Sequence, residues 1–304
     1  MDAATLMPGF RPHVADIGGV RTRYWVGGEG PPLLLVHGLG GASYNFTELA
    51  PLLAERRRVL VPDLPGHCGT EPLPALEHIA DLAGHVRAVA EQEGMLPAAV
   101  LGYSLGGVVA LRCAVARPAD VSALVLVAPA GIVSTTQRAR TYLAVVGALK
   151  PGRVAARFRG ALARRPVLRY PVFGYWGAAD PSTLSPEGVL GLLEGPPRHT
   201  DVGAAGRALL RDDPRQDLDR VRCPTVLVWG ARDRLVPLVD GFEYARRLRC
   251  AIRTVPAAGH LVVAEYPELC ADVVGEFLDR VGEVDELPLE PELVGEPGGQ
   301  RTDP

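Results

Sequence analysis

Short unbroken runs of apolar residues alternate along the chain with longer stretches in which apolar positions recur every three or four residues. Leu33–Val36 stops at His37-Gly38, Val59–Val61 at Pro62-Asp63, Ala98–Leu101 at Gly102, and Ala123–Val127 at Ala128-Pro129. Thr225–Trp229 stops at Gly230 and Ala251–Val255 at Pro256. A run without polar alternation predicts a strand covered on both faces. Between the runs lie helical patterns over 48–55, 79–93, 105–117, 240–249 and 267–280. At the start, Val14–Ile17 and Val20–Val26, split by Gly18-Gly19, predict an antiparallel hairpin. Strands alternating with helices predict an α/β fold whose mostly parallel sheet is wrapped on both sides.

The alternation stops between Gly131 and about Thr200. This stretch carries ten basic residues against three acidic ones, in a chain of net charge −3. It also holds Tyr142, Phe158, Tyr170, Phe173, Tyr175 and Trp176. It reads as a helical insertion sitting on the sheet. Within it, Tyr142–Val146 and Leu149 form an apolar face flanked by Arg138, Arg140 and Lys150, suited to docking on the sheet or lying at a lipid interface. From Gly282 onward seven acidic residues oppose Arg301 alone, with prolines interspersed, a composition that predicts disorder. The expected organisation is a core over 1–130 and 201–282, a helical cap over 131–200, and an acidic, Pro-rich tail over 283–304.

With 304 residues, 47% of them hydrophobic, the chain can bury one large core. A net charge of −3 and a pI near 6.2 give no field that would draw nucleic acid. The five cysteines (Cys68, Cys113, Cys223, Cys250, Cys270) are odd in number, scattered and never spaced as CxxC. They read as reduced thiols of a cytoplasmic protein. No apolar stretch reaches the roughly 18 residues of a membrane helix, and the acidic start, Met1-Asp2-Ala3, does not resemble a secretion signal. Secretion and stable membrane insertion are not expected. Metal-site and nucleotide-loop motifs are missing, so neither metal nor cofactor is expected.

Gly102-Tyr103-Ser104-Leu105-Gly106 follows a predicted strand and opens a predicted helix. A sharp strand-to-helix turn would hold Ser104 strained with its oxygen outward, and glycines two before and two after let strand and helix approach. The helix start supplies the N–H of Leu105 and a favourable dipole for a developing oxyanion. A second donor is expected from the glycine-rich loop His37-Gly38-Leu39-Gly40-Gly41. A serine nucleophile needs a histidine base oriented by a carboxylate. His260 lies just past the last predicted strand and Asp233 just past the preceding one. In a parallel sheet the strand carboxyl ends share one edge, so Ser104, Asp233 and His260 can meet there.

With these motifs the chain resembles the α/β-hydrolase family, and its capped, esterase-like serine members, over roughly 21–280. The matching stretches are HGLGG at 37–41, DLPGHCGT at 63–70, GYSLGG at 102–107, WGARDRLVP at 229–237 and AAGH at 257–260. The resemblance implies an eight-stranded sheet with a helical cap after the sixth strand. It implies Ser104 as nucleophile, His260 as general base then acid, and Asp233 as its orienting partner. Leu39 and Leu105 would offer the oxyanion-hole N–H groups, with Gly40 as fallback for the first. Two departures stand out. Cys68 replaces a family glycine, putting a thiol and the His67 imidazole near the substrate edge. Ala128-Pro129 fills the alternative acid position, leaving Asp233 without a competitor.

The expected activity is acyl transfer from a small-molecule carboxylic ester with a small to medium apolar acyl group, through an acyl-enzyme. A carbon–carbon bond hydrolase or lactonase on the same triad, and a non-catalytic ligand receptor of the same fold, are the alternatives. Oligomeric state is not legible. His13, His78, His85 and His199 follow no motif and are expected at surface or satisfied core positions.

Overall fold

A computed structural model describes residues 3–132, 141, 150–175 and 177–286. The predicted 142–149 face with Arg138 and Arg140, Trp176, and the tail from 287 lie outside the described residues. Eight strands form one sheet: β1 Phe10–Ile17, β2 Val20–Gly27, β3 Pro32–Val36, β4 Arg58–Pro62, β5 Ala98–Tyr103, β6 Val121–Val127, β7 Thr225–Gly230 and β8 Ala251–Val255. Their order is β1-β2-β4-β3-β5-β6-β7-β8. β1 and β2 form the antiparallel hairpin, β2 pairs antiparallel with β4, and every other pair is parallel. Gly18 and Gly19, both at positive φ, make the tight hairpin turn.

The apolar runs are buried on both sides as their composition demands. Leu34, Val36, Val100 and Leu126 pack against helices Ile79–Gln92, Leu105–Ala116 and Val202–Arg211. Leu33, Leu35, Leu101 and Val125 point the other way, against helix Leu49–Ala54 and the C-terminal helix Pro267–Glu286. Period-two alternation thus divides each strand between two cores. β8 departs from the expectation of two-sided cover: Ala251, Arg253 and Thr254 are exposed, because β8 is the edge of the sheet. The last helix also runs beyond its predicted end at 280, to Glu286. Glutamate is a good helix former, and Glu283 and Glu286 extend the helix.

Between β6 and β7 the described chain is helical over Pro151–Arg157, Arg159–Arg164, Tyr170–Phe173 and Pro186–Glu194. These helices bury Ala156, Leu162, Phe173, Val189 and Leu193 in a third apolar cluster, which includes Ala264 from the segment after β8. Arg169, almost fully buried, binds the carbonyls of Leu162, Ala163 and Leu184 and ties the segment together. Among the described residues no helix is long and apolar enough to cross a membrane.

The chain leaves β3 toward β4 on one side and returns to β5 on the other. Loops after β3 and β5 therefore diverge at a switch point, where an open α/β sheet leaves a crevice. Close approach there depends on missing side chains. A Cβ on Gly102 would stand 2.2 Å from the Gly106 carbonyl oxygen, and one on Gly106 would stand 2.0 Å from that of Val36. Both obstacles are backbone and cannot swing aside. Gly106→Ala is expected to lower unfolding free energy by about 2 kcal/mol, the scale of overpacking a tight contact, despite alanine's better helix propensity. Urea unfolding followed by circular dichroism checks it; an unchanged or raised midpoint would refute it.

Candidate active site

Ser104 sits between β5 and the Leu105–Ala116 helix at φ 55°, ψ −118°, a conformation that costs a non-glycine residue strain. Three backbone hydrogen bonds hold it there. The Ser104 N–H donates to Val127 O at 3.0 Å, while its carbonyl accepts from Gly107 N at 2.9 Å and Ala130 N at 3.0 Å. Its hydroxyl lies 3.0 Å from His260 Nε2. The opposite ring nitrogen, Nδ1, lies 2.7 Å from Asp233 Oδ2. A carboxylate can only accept, so Nδ1 carries the proton and the Nε2 lone pair faces the serine O–H. Asp233 is fixed through its other oxygen, which accepts the N–H groups of Leu235 and Val236, each at 2.8 Å. The structure brings Ser104, His260 and Asp233 together from the ends of β5, β8 and β7.

The His260 loop is fastened by a residue the sequence reading missed. Glu265, buried, accepts Gly259 N at 2.8 Å and Ala179 N at 2.7 Å. His260 N donates to Gly177 O at 2.7 Å. Burial lifts the Glu265 carboxyl to about 7, against backbone N–H groups that favour its charged form. Its place five residues past His260 and two before the last predicted helical pattern was the signal available.

The 37–41 loop lies against the serine: a Cβ on Gly38 would be 3.1 Å from Ser104 Cβ. The Gly38 carbonyl accepts from His37 Nδ1 at 2.8 Å and from Gly41 N at 3.1 Å. In a trans peptide the N–H points opposite to the C=O, so these two bonds also aim the Leu39 N–H. Among the described residues no acceptor takes the Leu39 or the Leu105 N–H. Gly40 is removed as fallback donor, because its N–H is given to His67 Nε2 at 3.2 Å.

His67 is likewise no rival base. Its Nε2 accepts from Gly40, so its Nδ1 donates, to Pro65 O at 3.0 Å. Cys68 adopts a left-handed backbone conformation despite its side chain, at φ 41°. Its thiol accepts from Arg23 Nη1 at 2.9 Å, and burial raises it to about 12, leaving it protonated and inert. Arg23, on β2, also donates to Cys68 O at 3.1 Å and Tyr44 Oη at 2.5 Å. It lies 3.4 Å from Asp63, which in turn accepts Ser43 N at 2.7 Å. Asp63 is a brace for these loops. Among the described residues no group of three or more His, Cys, Asp or Glu side chains is arranged to hold a metal ion.

Residues 33–273 match the Alpha/beta hydrolase family. This chain belongs to the α/β-hydrolase family. Among relatives of this α/β hydrolase is the dihydrolipoyllysine-residue acetyltransferase component of the acetoin cleaving system of Pseudomonas putida, 33% identical over 281 residues. That alignment covers 88% of this chain and 70% of the relative. The pimeloyl-[acyl-carrier protein] methyl ester esterase of Chromobacterium violaceum is 30% identical over 269 residues, covering 83% and 96%. Among solved structures, E-2-(acetamidomethylene)succinate hydrolase superposes with a TM-score of 0.70 at 21% identity, covering 89% of this chain and 99% of that one. This last likeness is one of fold.

Burial holds His37 down to about 3, His85 to about 4, and His67 and His199 below their usual range. Unfolded, each titrates near 6.5. Below that pH the unfolded chain binds protons the folded one refuses, so stability falls on acidification by about 1.4 kcal/mol per pH unit for each histidine at full effect. Asp63 and Glu265, lifted to about 6 and about 7, oppose the trend. Burial raises the Glu48 carboxyl as well, and four sites against three still leave a net loss. The melting temperature should therefore drop steadily from pH 6.5 to 5; a flat or rising profile would contradict this assignment of charges.

Proposed function

We propose that this α/β hydrolase cleaves a small-molecule carboxylic ester through an acyl-enzyme on Ser104, with Asp233 and His260 completing the triad. The observation that carries the reading is the continuous chain Oγ–Nε2 at 3.0 Å and Nδ1–Oδ2 at 2.7 Å, on a serine held in a strained turn. Ser104 Oγ attacks the ester carbonyl carbon while His260 Nε2 takes its proton. The carbonyl oxygen becomes an oxyanion facing the Leu39 and Leu105 N–H groups, and the buried Asp233 stabilises the imidazolium. Collapse expels the alkoxide, which leaves as the alcohol with the proton from His260. Water, deprotonated by the same nitrogen, then attacks the acyl-enzyme and releases the acid. No cofactor enters this sequence.

The described part of the segment between β6 and β7 acts as a cap that lines the pocket and excludes water from the acyl-enzyme. Its apolar and aromatic residues favour a small to medium apolar acyl group, and a methyl ester esterase among the relatives supports an ester over other carbonyl substrates. The five free cysteines fit a reducing, cytoplasmic setting.

Nitrophenyl esters of increasing acyl length test the reading. Wild-type protein should turn over repeatedly, Ser104→Ala should abolish turnover, and Asp233→Asn should lower kcat by about 10³–10⁴ with little change in KM. An optimum at short to medium acyl length supports the pocket assignment. Labelling of Ser104 by a serine-directed probe without turnover of any ester would sink the esterase reading in favour of a carbon–carbon or lactone substrate. Stoichiometric ester binding without labelling or turnover would instead favour a receptor.

A further inference from the structure

Each of the three peptide planes in the Gly38–Gly41 loop is held by a different histidine ring. His37 Nδ1 binds Gly38 O, His67 Nε2 accepts Gly40 N, and His199 Nε2 lies 2.9 Å from Gly40 O. The rings also contact one another, with centroids 5.1 Å apart for His37 and His67 and 5.3 Å for His67 and His199. Two of the three lie in motifs of the core. His199 does not: it comes from the end of the segment between β6 and β7.

Its ring is committed on both sides. Nδ1 accepts the N–H of Cys68 at 3.1 Å, so Nε2 carries the proton and donates to Gly40. The backbone around it is stitched down as well. Thr200 N and Asp201 N donate to Gly66 O at 3.0 and 3.2 Å, and Arg153, on the Pro151–Arg157 helix, donates to the carbonyl of His199 at 2.5 Å. A continuous path therefore runs from a cap helix through Arg153 and His199 into the loop that carries Leu39.

We propose that His199 is a positioning residue for the oxyanion loop, holding the Gly40 carbonyl so that the Leu39 N–H stays aimed at the oxygen above Ser104. The proposal rests on the serine-hydrolase reading and extends it: the cap supplies part of the catalytic scaffold besides covering the pocket. A donor fixed in place acts more strongly on the oxyanion than on the ground-state carbonyl. Loss of His199 should thus slow the chemical step and leave initial binding alone.

The test measures covalent labelling of Ser104 by a fluorophosphonate, in which Oγ bonds to phosphorus, fluoride leaves and His260 takes the serine proton. It needs no knowledge of the natural substrate. Rates are taken as a function of probe concentration for wild type, His199→Ala and His199→Gln, with the folded fraction of each set by circular dichroism. His199→Ala is expected to lower the limiting labelling rate about tenfold or more, with the half-saturating concentration within about twofold. Glutamine, whose amide can still donate to Gly40 O, should recover most of the rate. Equal limiting rates for wild type and His199→Ala overturn the proposal while leaving the serine-hydrolase reading intact. Equal slowing in both variants overturns the donor role. A wild type that does not label at all removes the reading itself, and the proposal with it.

Discussion

The Ser104 backbone is held at a positive φ that its side chain disfavours, and much of the surrounding structure exists to keep it there. The strain persists because its neighbours leave no room for relaxation. Gly102 and Gly106 bring strand β5 and the following helix into contact with the carbonyls of one another and of β3. Bonds to Val127, Ala130 and Gly107 close the remaining freedom. The result aims Oγ outward at the edge where the parallel strands end and places the Leu105 N–H beside it. The energetic cost of this turn is met by the two apolar cores on either face of the sheet, which fix the strands.

Around that turn the chain favours neutral hydrogen-bonded groups over charges. Four histidines are kept deprotonated by burial, and each of the three that touch the loop regions accepts at one nitrogen and donates at the other. A ring used in this way fixes two backbone groups at once and brings no field of its own. The formal charges, Asp233 and the Arg23–Asp63 pair, are buried only where backbone N–H groups or an opposite charge meet them.

Most of the framework was legible because it rests on local periodicity. Continuous apolar runs gave the strands, Gly18-Gly19 the hairpin, and the strand-then-helix context of Ser104 its turn. Asp233 and His260 could be assigned because a parallel sheet sends its carboxyl ends to one edge. The edge exposure of β8 was hidden, since Ala251–Val255 reads much like an interior strand and only the strand order reveals its place. Glu265 and His199 were missed for a different reason. Their roles are hydrogen bonds to backbone atoms distant in sequence, which leave no trace in periodicity. His199 in particular makes its contacts from 159 residues beyond Gly40.

The N-terminal hairpin lies outside the family match, which begins only at residue 33. Yet Arg23 on β2 is the cation that reaches Asp63, Tyr44 and both the carbonyl and the thiol of Cys68. A fragment trimmed to the matched boundary would lose it. Asp63 would remain fully buried without its counter-ion, and the Cys68 turn, already in a glycine-like conformation, would lose the donor that fills its lone pairs. The matched span, residues 33–273, is therefore not the smallest part of the chain that can hold these loops in order.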